Sequence, residues 1–273
     1  GAELTIPNTR LDLSRLSYAE LAGHLRKCQQ INLKCWKYHF LTMYVADTVY
    51  MGGEEFAGKY GLEEKDYTMM LKGFETKGLA TDRGQFLLAK SAVARKDVLE
   101  LLESNEPVEV IMGKVKETGE GREWWKEVEA YLDEFGHRIS AAVLDMNFTT
   151  WCEDPSPVIE NLCTMLPQVK GGWDFEEEHQ NTIRLREKAV EEFRKKLKPE
   201  DREAFETGLT HWQNAYQFNE DHWFYFEQVN WSGFRYGAME AGRRFTNLGM
   251  LKRPEDIFFL THEEVLEALE SAD

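Results

Sequence analysis

The stretch His211–Trp231, HWQNAYQFNEDHWFYFEQVNW, constrains this chain more than any other. It holds Trp212, Tyr216, Phe218, Trp223, Phe224, Tyr225, Phe226 and Trp231, and contains neither Gly nor Pro. On an α-helix of about 3.6 residues per turn, His211, Ala215, His222, Phe226 and Val229 share one stripe. Trp212, Tyr216, Asn219, Trp223 and Asn230 form the neighbouring stripe, while Phe224 and Trp231 point the opposite way, near Glu220 and Glu227. A helix that is apolar round most of its circumference is buried among other helices. Glu220, Asp221, His222 and Glu227 then need partners, because an unpaired buried charge is costly. The segment is either a core helix with satisfied polar groups or one wall of an aromatic-lined site.

The rest of the chain continues the helical pattern. Ser17 to Glu20 is a capping box. The helix it opens runs to about Tyr50, with Leu21, Leu25, Cys28, Ile31, Cys35, Tyr38 and Thr42 on one stripe, and Gly52-Gly53 ends it. Shorter helices follow over Glu54 to Tyr60, Glu63 to Lys77 and Gln85 to Ser104, with a turn at Thr81 to Gly84. Val108 to Met112 reads as an extended or irregular link and Thr118 to Gly121 as a loop. Arg122 to Phe135 is amphipathic, Pro157 suits the first turn of a helix through Leu166, and Phe175 to Lys198 is a charged helix. The aromatic helix extends from Arg202 to Leu248. Pro254 to Leu260 reads as extended, and Thr261 caps a last helix to Leu269. The expected fold is mainly all-α: an irregular multi-helix bundle with at most one or two short strands. It forms one domain over 1–273, divisible into sub-lobes 1–112 and 113–273.

Charge narrows the partners. With 33 Lys plus Arg against 49 Asp plus Glu, the net charge is −16. Such a surface argues against non-specific nucleic-acid binding and against anionic membranes. No apolar run approaches the roughly 20 residues of a membrane span, and the N-terminus lacks a signal-peptide layout. The four cysteines, Cys28, Cys35, Cys152 and Cys163, form no C-x-x-C pair and read as buried free thiols of a cytoplasmic protein.

Common catalytic signatures are absent: no dinucleotide or P-loop glycine motif, no G-x-S-x-G and no H-E-x-x-H. Glu134-Phe-Gly-His137 and Glu176-Glu-Glu-His179 are E-x-x-H pairs, which with Glu20 and Glu220 would make a di-metal carboxylate bundle oxidase. Gly136 puts the first pair at a helix end and the second lies in an acidic surface stretch, so no metal is assigned. Three polar-aromatic clusters remain: Gly136 to Arg138, Trp151 to Pro155, and Asn219 to His222. In the plain structural reading Arg138 pairs with Glu153 or Asp154 to fix a loop. In the functional reading His137, Arg138, Asp154 and His222 face one cleft.

These clusters carry a resemblance. Trp36 to Phe40, Tyr131 to Arg138 with Trp151 to Pro155, Asn219 to Gln228, and Ala241 to Glu264 resemble, in order, one region of the phosphoenolpyruvate-synthase-like phosphotransferases. That region is the helical central part, and the family includes rifampin phosphotransferase, phenylphosphate synthase and hydroxyacetophenone kinases. The resemblance implies an acceptor-binding domain or subunit, not self-sufficient, that phosphorylates a hydroxyl of a small phenolic compound. The implied partners are an ATP-binding domain, carrying ATP and Mg2+, and a mobile phosphohistidine domain; the chain itself binds no cofactor. Phosphoryl transfer to a hydroxyl needs a group to take the proton and cations to steady the phosphoryl oxygens. Candidates for the first are His137 or His222, oriented by Asp221 or Asp154. Arg138, Trp151, Asp154, Phe226, Arg235 and His39 are candidates for holding substrate. The rival from another class is a non-catalytic helical scaffold for partner domains.

Overall fold

The computed structural model describes residues 1–139 and 145–272. Within them the chain forms twelve α-helices. They are α1 (Ala2–Thr9), α2 (Tyr18–Gly58), α3 (Glu64–Met69), α4 (Lys77–Val93), α5 (Lys96–Leu102) and α6 (Val108–Val115), then α7 (Gly119–Phe135), α8 (Ser156–Lys170), α9 (Phe175–Lys196), α10 (Arg202–His222), α11 (Asn230–Asn247) and α12 (His262–Ser271). A π-helical segment, Trp223–Val229, joins α10 to α11. Among the described residues there is no β-strand; one isolated antiparallel bridge links Ile139 and Thr150. The all-α expectation therefore stands.

Helix α2 is the spine. Its 41 residues span about 60 Å. Ser17 and Glu20 exchange both hydrogen bonds of the capping box at its start: Glu20 N donates to Ser17 Oγ (3.2 Å) and Ser17 N to the Glu20 carboxylate (2.7 Å). The early part of α2 packs Leu21 and Leu25 against Phe245, Ile257 and Leu269, from α11 and the C-terminal segments. The far end of α2 packs with α3, α9 and α10 around Tyr67, Phe193, Phe205 and Trp212. A third core joins α4 to α8 and the π segment, and includes Trp124, Val128, Leu162, Phe224 and Val229. The Trp124 indole donates to the Leu88 carbonyl at 3.0 Å, so the largest buried ring also has its N–H satisfied.

Several local expectations change. Gly52-Gly53 does not end α2, which runs on to Gly58. A Cβ on Gly53 would meet the Trp212 ring at 2.7 Å, so this glycine permits close helix packing rather than a stop. Val108–Val115 is helical, not extended: Ile111 and Val115, one turn apart, both reach the core. Thr81 to Gly84 lies inside α4, whose start is moved forward by Thr76, its Oγ1 accepting from Leu79 N at 3.2 Å. Thr118 caps α7, so Gly119 and Gly121 belong to the helix rather than a loop. Glu63 to Lys77 shrinks to the short α3, and Gln85 to Ser104 splits between α4 and α5. Pro254–Phe259 is a 3-10 turn rather than extended chain.

Candidate functional site

The aromatic segment is helical throughout but not α-helical throughout. From Trp223 to Val229 it is a π-helix, whose hydrogen bonds run i→i+5. In a regular α-helix His222 would share its face with Phe226, and Glu227 would point well away. The wider turn brings Glu227 beside His222 instead. Glu227 Oε1 stands 3.5 Å from His222 Nε2 and 2.8 Å from Nδ1 of His39, which α2 supplies from across the interface. The two imidazole centroids are 5.1 Å apart. All three side chains are sheltered: 5% of His222, 4% of Glu227 and 16% of His39 remains exposed.

These close approaches are not aligned as hydrogen bonds. Among the described residues, His39 Nδ1, both His222 ring nitrogens and Glu227 Oε1 have no hydrogen-bond partner, and neither does Asn219 Oδ1. Buried polar atoms are nearly always paired, so such a concentration is unusual. His39, Asn219, His222 and Glu227 line a cavity of about 440 Å³ together with Met43, Glu220 and Trp223. Burial works against a charge on His222. The Glu227 carboxylate and the nearby backbone carbonyls of Asn219 and Phe218 outweigh it, and the pKa stands above the ordinary imidazole value. The Phe218 ring stacks on His222 (6.0 Å, 9°), and Trp36 meets His39 edge-on at 5.0 Å.

A second polar cluster surrounds the loop after α7. His137 Nδ1 lies 3.1 Å from the Tyr236 hydroxyl, which lies 2.9 Å from Thr150 Oγ1. Cys152 Sγ is 3.5 Å from the same His137 nitrogen and donates to the Leu132 carbonyl at 3.3 Å. Burial pushes the Cys152 thiol up to about 11, and burial holds His137 below the usual imidazole value. A thiol raised in this way is not activated as a nucleophile. Arg235 is buried, and its Nε reaches both Glu153 oxygens, at 2.8 and 3.1 Å. Arg138 therefore does not pair with Glu153; its guanidinium lies over Trp151, 4.6 Å from the ring centroid. Asp154 accepts from Ser156 N (3.0 Å) at the start of α8. Gln228, in the π segment, accepts from Ile139 N at 2.8 Å and ties this loop to the distorted helix.

The predicted residues thus fall into two groups. His39 and His222 meet at the cavity, while His137, Arg138, Trp151, Asp154 and Arg235 gather around the loop. Asp221 belongs to neither: its Oδ1 accepts from Lys77 N (2.7 Å) at the start of α4, so Glu227, not Asp221, is the carboxylate beside His222. Phe226 packs against Tyr38, 6.4 Å between centroids, and Val229 enters the core. Their expected place beside His222 is lost to the π geometry. Glu227 is the functional candidate that sequence reasoning missed, because helical periodicity puts it on the wrong side. The E-x-x-H residues are engaged elsewhere: Glu134 with Lys77, Glu176 with Arg83 and His179 with Glu75.

The described residues form an all-α fold that opens a polar, aromatic-flanked cavity at a helix distortion. Comparison with known proteins makes this specific. The chain belongs to the rifampicin phosphotransferase fourth domain family, whose match covers residues 39–220. It is similar to an uncharacterized phosphotransferase, YvkC, of Bacillus subtilis (strain 168), with 30% identity over 208 residues. That alignment takes in 76% of this chain and 24% of YvkC. It is also similar to chondramide synthase cmdD of Chondromyces crocatus, with 29% identity over 202 residues, 73% of this chain and 5% of that protein. The chain thus spans a quarter or less of the curated relatives it matches. Among the described residues no helix is long and apolar enough to cross a membrane.

Proposed function

We propose that this domain holds the acceptor of a phosphohistidine-relayed phosphotransferase, and that the acceptor is a small aromatic hydroxyl compound. One observation carries the reading: in a domain of this family, the α2–π interface opens a cavity whose floor is polar and unpaired and whose rim bears Trp223. A phenolic ligand needs flat apolar walls and a few placed polar groups. Helices α2 and α10 also line a separate apolar groove of about 590 Å³, with Leu41, Val45, Val49, Ala215 and Phe218 among its residues. An acceptor hydroxyl at the floor would meet ring nitrogens and a carboxylate that nothing else engages, which suits removal of its proton. In this reading the phosphoryl group arrives on a mobile partner domain, charged by another domain that binds ATP and Mg2+. His137, Asp154 and Arg235 support the loop and do not touch substrate.

A second feature favours contact with those partner domains. Leu33, Phe40, Leu41, Tyr44 and Val45 of α2 are all more than half exposed and make an apolar face on that helix. The four cysteines are free thiols, which suits a reducing cytoplasmic setting.

The test is a fluorescence titration of the purified chain with phenolic hydroxyl compounds and with matched compounds lacking the hydroxyl. Saturable quenching by the phenols, reduced in Trp223→Phe and abolished by Met43→Trp, which fills the cavity, is the expected result. Absence of saturable binding, or binding indifferent to Met43→Trp, would overturn the reading.

A further inference from the structure

We propose that His39 Nδ1, His222 Nε2 and Glu227 Oε1 are the three protein ligands of a divalent transition-metal ion. The proposal goes beyond the acceptor reading and does not depend on it; with the ion bound, an acceptor hydroxyl would meet its open coordination position rather than the free side chains. The three side chains each offer one ligand atom, and these atoms lie within 4.8 Å of one another. Two of the separations are 2.8 and 3.5 Å. Around an ion with bonds of about 2.0–2.2 Å, neighbouring donors stand roughly 3 Å apart, so this spacing needs only small side-chain adjustments.

The bonding state of these atoms is the second observation. His222 and Glu227 are more than nine-tenths buried, yet neither imidazole makes an aligned hydrogen bond to the carboxylate that faces it. A carboxylate set between two imidazoles without hydrogen bonds leaves all three groups unsatisfied. A cation accepts lone pairs from all three at once and removes the cost of burying them. The backbone supports the assignment. Spacing His222 and Glu227 by five residues on one face requires the π turn, and π turns occur frequently at functional sites. Rings hold the ligands in place: Phe218 stacks on His222, and Trp36 lies edge-on to His39.

Ligand chemistry selects the ion. Two imidazoles and one carboxylate suit zinc or iron(II) and are poor for calcium or magnesium, which prefer all-oxygen shells. Three protein ligands leave coordination positions open, as sites that bind an exogenous group do. Those positions give onto the cavity, where Asn219 Oδ1 has no partner among the described residues and could accept from a bound water.

The experiment uses the purified chain stripped with a chelator, then titrated near neutral pH with Zn2+ by calorimetry and with Co2+ by visible absorption. The expected result is one equivalent of either ion, with Co2+ ligand-field bands. His39→Ala, His222→Ala and Glu227→Gln should each weaken binding by at least about tenfold, since even outer-shell changes cost that much at metal sites. His179→Ala, whose ring lies against Glu75, should bind as the parent does. Circular dichroism checks the fold, and the near-isosteric Glu227→Gln keeps the test decisive if an alanine variant unfolds. No stoichiometric binding, or affinity unchanged in Glu227→Gln, would overturn the proposal. Metal titration and phenol quenching are read separately, so one can fail while the other stands.

Discussion

Alanine at Gly53 should destabilise the domain, while alanine at its neighbour Gly52 should stabilise it. Both glycines lie in the interior of α2, where Gly→Ala gains about 0.5–1 kcal/mol from lost unfolded-state freedom. At Gly52 nothing lies within 4 Å of an added Cβ, so that gain should appear nearly whole. At Gly53 the added carbon would stand 2.7 and 2.8 Å from two Trp212 ring atoms and closer still to the Tyr67 hydroxyl. Carbon–carbon contact is comfortable at about 3.5–4.0 Å, so roughly 1 Å of movement is needed. Trp212 has little room to give it, with Phe56, Phe205 and Tyr67 centroids at 5.7, 6.0 and 6.0 Å. Overpacking of this kind costs about 1–3 kcal/mol. Displacing the Tyr67 hydroxyl from the Tyr50 carbonyl, now 3.1 Å away, adds about 1 kcal/mol. After the helix gain, Gly53→Ala should lose about 1–3 kcal/mol net, or about 2–4 °C per kcal/mol in melting temperature for a domain near this size. Urea denaturation of the two variants beside the parent measures it. Shifts of the same sign in both variants would refute the packing argument.

Stability should fall as pH drops from neutral through the ordinary histidine range. Burial holds His24, His137 and His262 below their usual pKa, so at these three sites the unfolded chain takes up protons first and is favoured as pH falls, while His222, held above its usual value, works the other way. His137→Gln should flatten that slope in pH-dependent urea melts; an unchanged slope would remove His137 as a contributor. Glu153→Gln should cost toward the lower end of about 3–5 kcal/mol, because it leaves Arg235 charged and buried while Glu153 itself is 27% exposed. A double replacement by apolar residues should recover part of that loss, which a thermal-melt cycle would show. Thr261→Ala should cost about 1 kcal/mol by removing the cap of α12, where Thr261 Oγ1 accepts from Glu264 N at 3.2 Å.

Much of the fold was legible in advance where one helix face is enough to decide. The capping box at Ser17 and the amphipathic run ending at Phe135 appear where local chemistry puts them. Glycine was the weak guide. Gly52-Gly53, Gly84 and Gly119 all look like punctuation in one dimension, yet all lie inside helices. Whether a glycine ends a helix or admits a neighbour depends on what packs against it, which no local pattern contains. Arg138 shows the same limit. The plain structural reading paired it with Glu153 or Asp154, but Arg235, from a helix more than eighty residues further on, takes the Glu153 carboxylate and Asp154 accepts from Ser156 N.

The aromatic stretch draws the line most clearly. Its composition alone determined that residues 211–231 are helical, because no Gly or Pro breaks them, and that its polar groups need partners wherever they are buried, although His211, Asn214, Phe218 and Trp223 remain exposed. It also singled out His222, while His39 entered only as a substrate-holding candidate with the family resemblance. Only the tertiary structure decided what joins them. The π turn is the way the chain keeps Phe224 and Val229 in one core while α10 and α11 pack along α2, and it moves the face by about one residue. That shift sends Phe226 toward Tyr38 and brings Glu227 between two histidines. Periodicity describes a helix in isolation, whereas this site exists because packing on several sides forced the helix to depart from it.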